Sequence, residues 1–309
     1  MNGTPRTIME YLDQLRAALR GADPALIQDA LYDAEEHLRA ELAEQPGRSE
    51  ADMLAKVVGS YGAPDEVAEI YRSQEIKIQR ALRSPSPPKH RSSIGRFFGV
   101  AADPRTYGAL FYMVLALATG VFYFVWAVTG ISLSFGLAVL IIGIPFIVLF
   151  FGSVRVLSLV EGRIVETMLG VRMPRRPTYS TKGMSLWRRI GAMFGDPRTW
   201  STLFYMLLML PLGIIYFTLT ITLLLVSIGF VGAPVMKLVS IAYHLQDGIC
   251  TGPDDLCNFV GWLNSWPGAF VVSILGIVLL FSTLHLVRGL GYTHGQIAKH
   301  LLVAGAATE

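Results

Sequence analysis

Asp103-Pro104-Arg105-Thr106-Tyr107-Gly108-Ala109-Leu110-Phe111-Tyr112-Met113 opens a run with no charged side chain from Thr106 through Val154. Two further runs lack Asp, Glu, Lys and Arg: Thr199 through Met236, and Leu256 through Val287. A hydrocarbon core about 30 Å thick needs about 20 apolar residues as a helix. The first run is too long for one crossing. Gly130, Ser132, Ser134 and Gly136 sit near its middle. It reads as two spans, about 107–129 and 134–153, joined by a tight turn. The other runs supply spans at about 201–227 and 268–287. The expected fold class is all-α: a small cytoplasmic helical domain followed by a four-span transmembrane helical bundle.

The opening motif returns. Asp196-Pro197-Arg198-Thr199-Trp200 repeats Asp103-Pro104-Arg105-Thr106-Tyr107, and Leu203-Phe204-Tyr205-Met206 repeats Leu110-Phe111-Tyr112-Met113. At an offset of 93, 14 of the 27 positions from 103 to 129 are identical, which calls for an internal repeat. Gly143-Ile144 matches Gly276-Ile277, and Val154-Arg155 matches Val287-Arg288, now at an offset of 133. The expected organisation is a first membrane repeat at 94–177, a connector at 178–189 and a second repeat at 190–304. The second carries an insertion at about 228–267. Each repeat has two spans, so the repeats are parallel, which disfavours the inverted design frequent in transporters. Asp103 and Asp196 suit an N-cap, and Pro104 and Pro197 the first helical position. Tyr107 and Trp200 suit the headgroup level. Arg105 and Arg198 are candidates for pairing with lipid phosphate or the other repeat. After the second spans, 154–169 and 288–303 read as amphipathic stretches, lying on the inner leaflet or packed beneath the bundle. Val154, Leu157, Val160, Ile164, Val165 and Met168 form the apolar stripe of the first.

The 309 residues average 52% hydrophobic and 16% charged, with a mean hydropathy of +0.48. An ordinary soluble domain is about 25% charged. The average excludes a soluble enzyme, a disordered chain and a disulfide-dense scaffold. It also hides two unlike parts. Residues 1–105 hold 14 Lys/Arg and 16 Asp/Glu. Residues 1–83 read as a compact helical domain. Ile8, Tyr11, Leu12, Leu15 and Leu19 form one helical stripe, closed by Gly21. Asp23-Pro24 starts the next, with Ile27, Leu31, Ala34, Leu38 and Leu42. Ser49 and Asp52 make a weak capping box before Met53, Leu54, Val57, Val58 and Tyr61. Gly62-Ala63-Pro64-Asp65-Glu66 starts a fourth helix, with Val67, Ile70 and Tyr71 on its face. Residues 84–93 are a basic Pro/Ser linker.

Orientation follows the basic residues. The segment 154–200 carries nine Lys/Arg, and the linker side of the first span carries seven from Lys77 to Arg105. The loop 238–267 carries none, and holds Asp247, Asp254 and Asp255. Both termini and the central connector are expected in the cytoplasm, and the acidic loop outside. Residues 1–20 lack the apolar core of a signal peptide. Cys250 and Cys257 fall in that loop and are expected to form a disulfide in an oxidising compartment. Asp247, Asp254, Asp255, Trp262 and Trp266 crowd the same loop and form a candidate extracytoplasmic ligand site. The two tryptophans also fit a membrane interface.

Two resemblances rest on these residues. Tyr11-Leu12-x-x-Leu15, Ala34-Glu35-Glu36-His37-Leu38 and Gly62-Ala63-Pro64-Asp65-Glu66-Val67-Ala68 resemble the HAAS-type helical domain of bacterial membrane proteins. Such domains are associated with PadR-like transcription regulators, so the resemblance implies signalling. Glu35, Glu36, His37, Asp65 and Glu66 are then the candidate partner surface. Residues 94–304 resemble the sensor membrane domain at the input end of bacterial histidine kinases. The repeated Asp-Pro-Arg-Thr-aromatic element, the Leu-Phe-Tyr run and Leu286-Val287-Arg288-Gly289-Leu290 carry that match. No kinase core follows before Glu309, so output is expected through a partner or the N-terminal domain.

Phosphate-loop, zincin and nucleophile-elbow motifs do not occur in the sequence. No enzymatic activity, cofactor or metal is expected. His37 reads as a solvated residue and His285 as hydrogen-bonded near an interface. His294 and His300 are spaced wrongly for one helical face. The expected partners are the lipid bilayer and a cytoplasmic protein such as a PadR-like regulator, without direct nucleic-acid contact; a homo-oligomer is compatible. The expected function is a non-catalytic sensor of the bacterial inner membrane that passes an envelope signal to that partner. The rival readings are a membrane scaffold or assembly protein and a small transporter. The uncharged runs weigh against the last.

Overall fold

Local capping fixes the ends of the first four helices. The structure is a computed structural model that describes residues 4–45, 47–82, 92–137, 143–175, 191, 195–243 and 254–303. Helix α1 (Ile8–Ala18) starts on Thr7, whose hydroxyl accepts from the Glu10 amide. Helix α2 (Pro24–Glu44) starts on Asp23, with Pro24 in its first turn. Helix α3 (Glu50–Ser60) starts on Ser49, which accepts from the Asp52 amide. In α4 (Pro64–Leu82), Glu66 reaches back to accept from the Ala63 amide at 3.0 Å. Each device satisfies an amide that the helix cannot.

The four helices close over Tyr11, Leu15, Leu19, Leu38, Met53, Leu54, Val57 and Val67. The expected stripes supply most of this core. The exception is Ile70, which is exposed; Ala68, two residues earlier on α4, takes the inward position. Tyr11 is fully buried, and its hydroxyl donates to the Gly62 carbonyl at 2.9 Å. That bond ties α1 to the turn before α4.

The remaining chain is also helical, with no strand among the described residues. A short helix α5 (Ser93–Phe98) and a 3-10 turn (Gly99–Ala102) lead into α6 (Pro104–Leu137). Then follow α7 (Gly143–Leu169), α8 (Pro197–Val231), α9 (Ala233–Ala242), α10 (Asp254–Leu263) and α11 (Trp266–Leu302). Helices α6, α7, α8 and α11 are 34, 27, 35 and 37 residues long and apolar enough to cross a membrane. Many of their large apolar side chains are exposed, among them Phe111, Phe122, Leu149, Phe204, Ile274 and Leu275. Such a surface suits lipid, not water.

Two expectations change. The turn at Gly130–Gly136 is absent, because α6 continues to Leu137. Gly130 serves packing instead: a Cβ there would lie 1.9 Å from the Phe150 ring. Gly and Ser are tolerated inside membrane helices, where neighbouring helices compensate them. The stretches expected at 154–169 and 288–303 are not separate surface helices. They are the continuations of α7 and α11. The stripe on α7 also shifts. Val154, Glu161, Gly162, Val165 and Glu166 are buried, whereas Val160 is exposed.

The chain falls into two compact units. One comprises Met1–Pro85, Val121–Met209 and Tyr292–Glu309; the other comprises Ser86–Gly120 and Leu210–Gly291.

The Tyr11 pKa is raised by burial first, and by Tyr61 and Glu66 second. A raised folded-state pKa means that this stabilisation is complete below the unfolded value and is lost as pH climbs past it. Tyr11→Phe is expected to lower the stability of α1–α4 at neutral pH by about 1 kcal/mol, the worth of one hydrogen bond. It is also expected to blunt their alkaline unfolding. Pulse proteolysis of the full chain across urea, at neutral and alkaline pH, measures both; equal alkaline losses in the two proteins would contradict the Tyr11 account.

Candidate functional site

The repeated motif makes the same pair of bonds at both places. Asp103 Oδ1 accepts from the Arg105 amide at 3.0 Å, and Asp196 Oδ1 accepts from the Arg198 amide at 3.1 Å. Each aspartate therefore caps its own helix, as expected. The second oxygen takes an arginine from a different long helix. Arg288 Nη1 lies 3.1 Å from Asp103 Oδ2, and Arg155 Nη2 lies 3.4 Å from Asp196 Oδ2. Cross-helix pairing is thus the work of the motif's aspartate; Arg198 instead donates to Gln28 Oε1 at 3.2 Å. Arg155, Ser158, Asp196, Arg198 and Thr199 line a cavity of about 40 Å³. That is room for one or two waters.

Within the first unit, α7 carries a polar cluster that the sequence reading missed. Glu161 is 1% exposed. Its Oε2 accepts from the Tyr123 hydroxyl of α6 and its Oε1 from the Tyr205 hydroxyl of α8, both at 2.9 Å. The Tyr205 oxygen is also 3.1 Å from His294 Nε2 of α11. Four helices thus meet at one buried carboxylate. A carboxylate in a membrane-competent helix is a functional candidate by default.

One and a half turns further along α7 lies a second cluster. Helix α7 ends at Gly170, whose φ of +70° suits the left-handed closing position. The chain then folds back and buries Val171 to Pro174. Arg172 Nη1 meets Glu166 Oε1 at 3.2 Å, its Nη2 meets Asp29 Oδ2 at 3.0 Å, and its Nε meets Glu75 Oε2 at 3.3 Å. Arg172 is 6% exposed. Burial works against its charge, but Asp29, Glu75 and Glu166 outweigh it, and its pKa rises above the usual arginine value. The Arg175 amide donates to Asp29 Oδ1 at 2.6 Å, and Arg163 and Arg175 both reach Glu166. Three arginines therefore balance three carboxylates. Lys299 of α11 bonds Asp23, the cap of α2. This seam joins α2 and α4 to the ends of α7, α8 and α11.

Three residues of the expected partner surface make contacts within the N-terminal domain. Glu35 pairs with Arg39 at 2.8 Å, Glu66 caps α4, and the His37 ring stacks on Tyr61 at 4.4 Å. Glu36 and Asp65 lie on α2 and α4. His285 Nε2 bonds the Phe97 carbonyl at 3.0 Å, as its interface reading expects. Trp262 and Trp266 are exposed; Trp262 stacks on Phe259, and Trp266 meets Phe270 at a tilt. Asp254 and Asp255 open α10. Asp247 and Cys250 lie outside the described residues, and Cys257 is described only as a residue of α10. The expected Cys250–Cys257 disulfide therefore lies outside the described residues.

A family model described as "Putative sensor" matches residues 112–302, and one described as HAAS matches residues 10–70. No curated protein and no solved structure matches the chain.

Asp196→Asn keeps a cap and loses only the ion pair, whereas Asp196→Ala loses both. Asn is expected to cost less than Ala, with the gap near 1 kcal/mol, the usual worth of a cap. The same pair at Asp103 should show a smaller Asn effect, because the Arg288 side chain is 49% exposed and Arg155 only 22%. Melting curves of the four variants in one detergent give the ranking.

Proposed function

The chain belongs to the sensor family whose model spans 112–302, and from that premise we propose how it signals. It is a multi-pass membrane protein with a sensor and signalling role, and residues 10–70 form an HAAS domain. In our reading it sits in a bacterial inner membrane with both termini in the cytoplasm. The membrane helices respond to a signal from the envelope, and the N-terminal domain relays it to a cytoplasmic protein of the PadR-like class, without catalysis. The membrane part derives from two parallel repeats; the matched Asp103–Arg288 and Asp196–Arg155 pairs support that descent.

One observation carries the reading: Arg172 bonds Glu166 of α7, Asp29 of α2 and Glu75 of α4 at once. Any movement of the end of α7 must move the N-terminal domain or break a buried ion cluster. Removing one partner of a buried pair typically costs about 3–5 kcal/mol, because the others stay desolvated. Such a joint is stiff when whole and released when broken, which is what a relay requires.

Arg172→Ala is therefore expected to undock the N-terminal domain, and Arg172→Lys to undock it partly, because an ammonium lacks the guanidinium fork. Carbodiimide joins carboxylates to amines in contact, so the Asp23–Lys299 cross-link reports docking. A cross-link yield unchanged in Arg172→Ala would falsify the coupling reading. Co-purification of the cytoplasmic partner should change in the same variant. Topology has its own check. After reduction, a thiol reagent that cannot cross the inner membrane should label Cys250 in cells with a permeable outer membrane. Labelling that requires disruption of the inner membrane would reverse the orientation.

A further inference from the structure

We propose that the ligand read by the membrane helices is a proton, bound by Glu161, Tyr205 and His294 acting as one relay. The proposal rests on the sensor reading above and names its stimulus. The groups are assembled for it. Glu161 on α7 is faced by Tyr123 from α6, Tyr205 from α8 and, through the Tyr205 oxygen, His294 from α11. Tyr205 has one proton to donate and stands between two groups that can each accept it. Two hydrogen-bond patterns therefore fit the same heavy-atom positions.

In the first pattern Glu161 is ionised. It accepts from Tyr123 and Tyr205, and His294 Nε2–H donates to the Tyr205 oxygen. In the second pattern Glu161 is protonated and donates to the Tyr205 oxygen, and Tyr205 donates to His294 Nε2. One proton converts the first into the second. It is taken up at His294 Nδ1, the Nε2 proton passes to the Tyr205 oxygen, and the Tyr205 proton passes to Glu161 Oε1. The triad gains one proton, and its charge goes from −1 to 0. No oxidant or reductant is involved.

The consequence reaches the seam because Glu161 and Glu166 share α7. Neutralising Glu161 weakens its charge-assisted bond from Tyr123, since such bonds are about twice as strong as neutral ones. It also reverses the bond with Tyr205. The grip of α6 and α8 on α7 loosens five residues before Glu166, the residue that holds Arg172. Acidification should therefore undock the N-terminal domain.

The test uses the full chain in lipid nanodiscs, where buffer reaches both faces. Infrared difference spectra across a pH titration should show a buried carboxyl that becomes protonated as the pH falls. Glu161→Gln should abolish it. The Asp23–Lys299 cross-link in the wild type should fall several-fold on acidification, whereas Glu161→Gln should stay at the acid level throughout. The ratio of the two proteins at each pH cancels the reagent's own pH dependence. Tyr205→Phe keeps the carboxyl but cuts the relay, and should move its midpoint by about one pH unit. That variant also serves if Glu161→Gln does not fold. A carboxyl signal constant with pH in the wild type overturns the proton proposal while leaving the sensor reading to the Arg172→Ala experiment. A wild-type cross-link profile retained by Glu161→Gln, or a midpoint unmoved in Tyr205→Phe, overturns it as well.

Discussion

A buried carboxylate must find donors or cations, and α7 buries two of them. Glu161 and Glu166 are both nearly inaccessible, in a helix apolar enough to span a membrane. An isolated charge there would cost several kcal/mol, so its surroundings must answer it. Glu161 is answered by hydroxyls from α6 and α8. Glu166 is answered by Arg163, Arg172 and Arg175. Much of the arrangement within the first unit follows. The chain after Gly170 turns back to deliver Arg172, and Arg172 needs Asp29 and Glu75 to balance its own burial. The N-terminal domain is held where α7 needs it.

The two clusters differ in what they can do. The Arg172 cluster sets three guanidinium groups against three carboxylates. It acts as a joint. The Glu161 cluster is made of groups that both donate and accept, or that change which they do on protonation. Hydroxyl, carboxyl and imidazole can reverse a chain of hydrogen bonds without moving a heavy atom far. It suits a switch. Placing a switch and a joint on one rigid helix gives the first a mechanical route to the second, within the reach of a single α7 displacement.

What the sequence disclosed and what it hid follow from the same physics. Helix starts were legible because capping is local. Asp23, Ser49, Asp103 and Asp196 each hold an amide two or three residues away, and each was readable from its neighbours. The stripe Tyr11, Leu15, Leu19 was legible because burial follows the helical period. The Arg172 seam was not legible. Its partners Asp29 and Glu75 stand 143 and 97 residues away, and nothing local distinguishes them from other acids in an acidic domain. Gly130 misled for a related reason. A glycine that breaks a helix and one that admits a neighbouring ring look alike until Phe150 is in place.

Glu161 was hidden differently, because a count of charges along the chain ignores which way each side chain faces. An uncharged run ends at its first charge, so the expected span stops at 153, just before Arg155, and 154–169 reads as a separate amphipathic stretch. Charge marks the end of a span only when the side chain faces lipid or snorkels to the headgroups. Glu161 and Glu166 lie on the same helical face as Val154 and Val165, and a carboxylate on the buried stripe of an apolar helix is a carboxylate inside. Helical phase was the signal that could have found them: positions 154, 161, 162, 165 and 166 fall together at 3.6 residues per turn, whereas Val160 falls outside. Read by phase rather than by count, the acids that seemed to end the membrane helix are the residues around which its partners assemble.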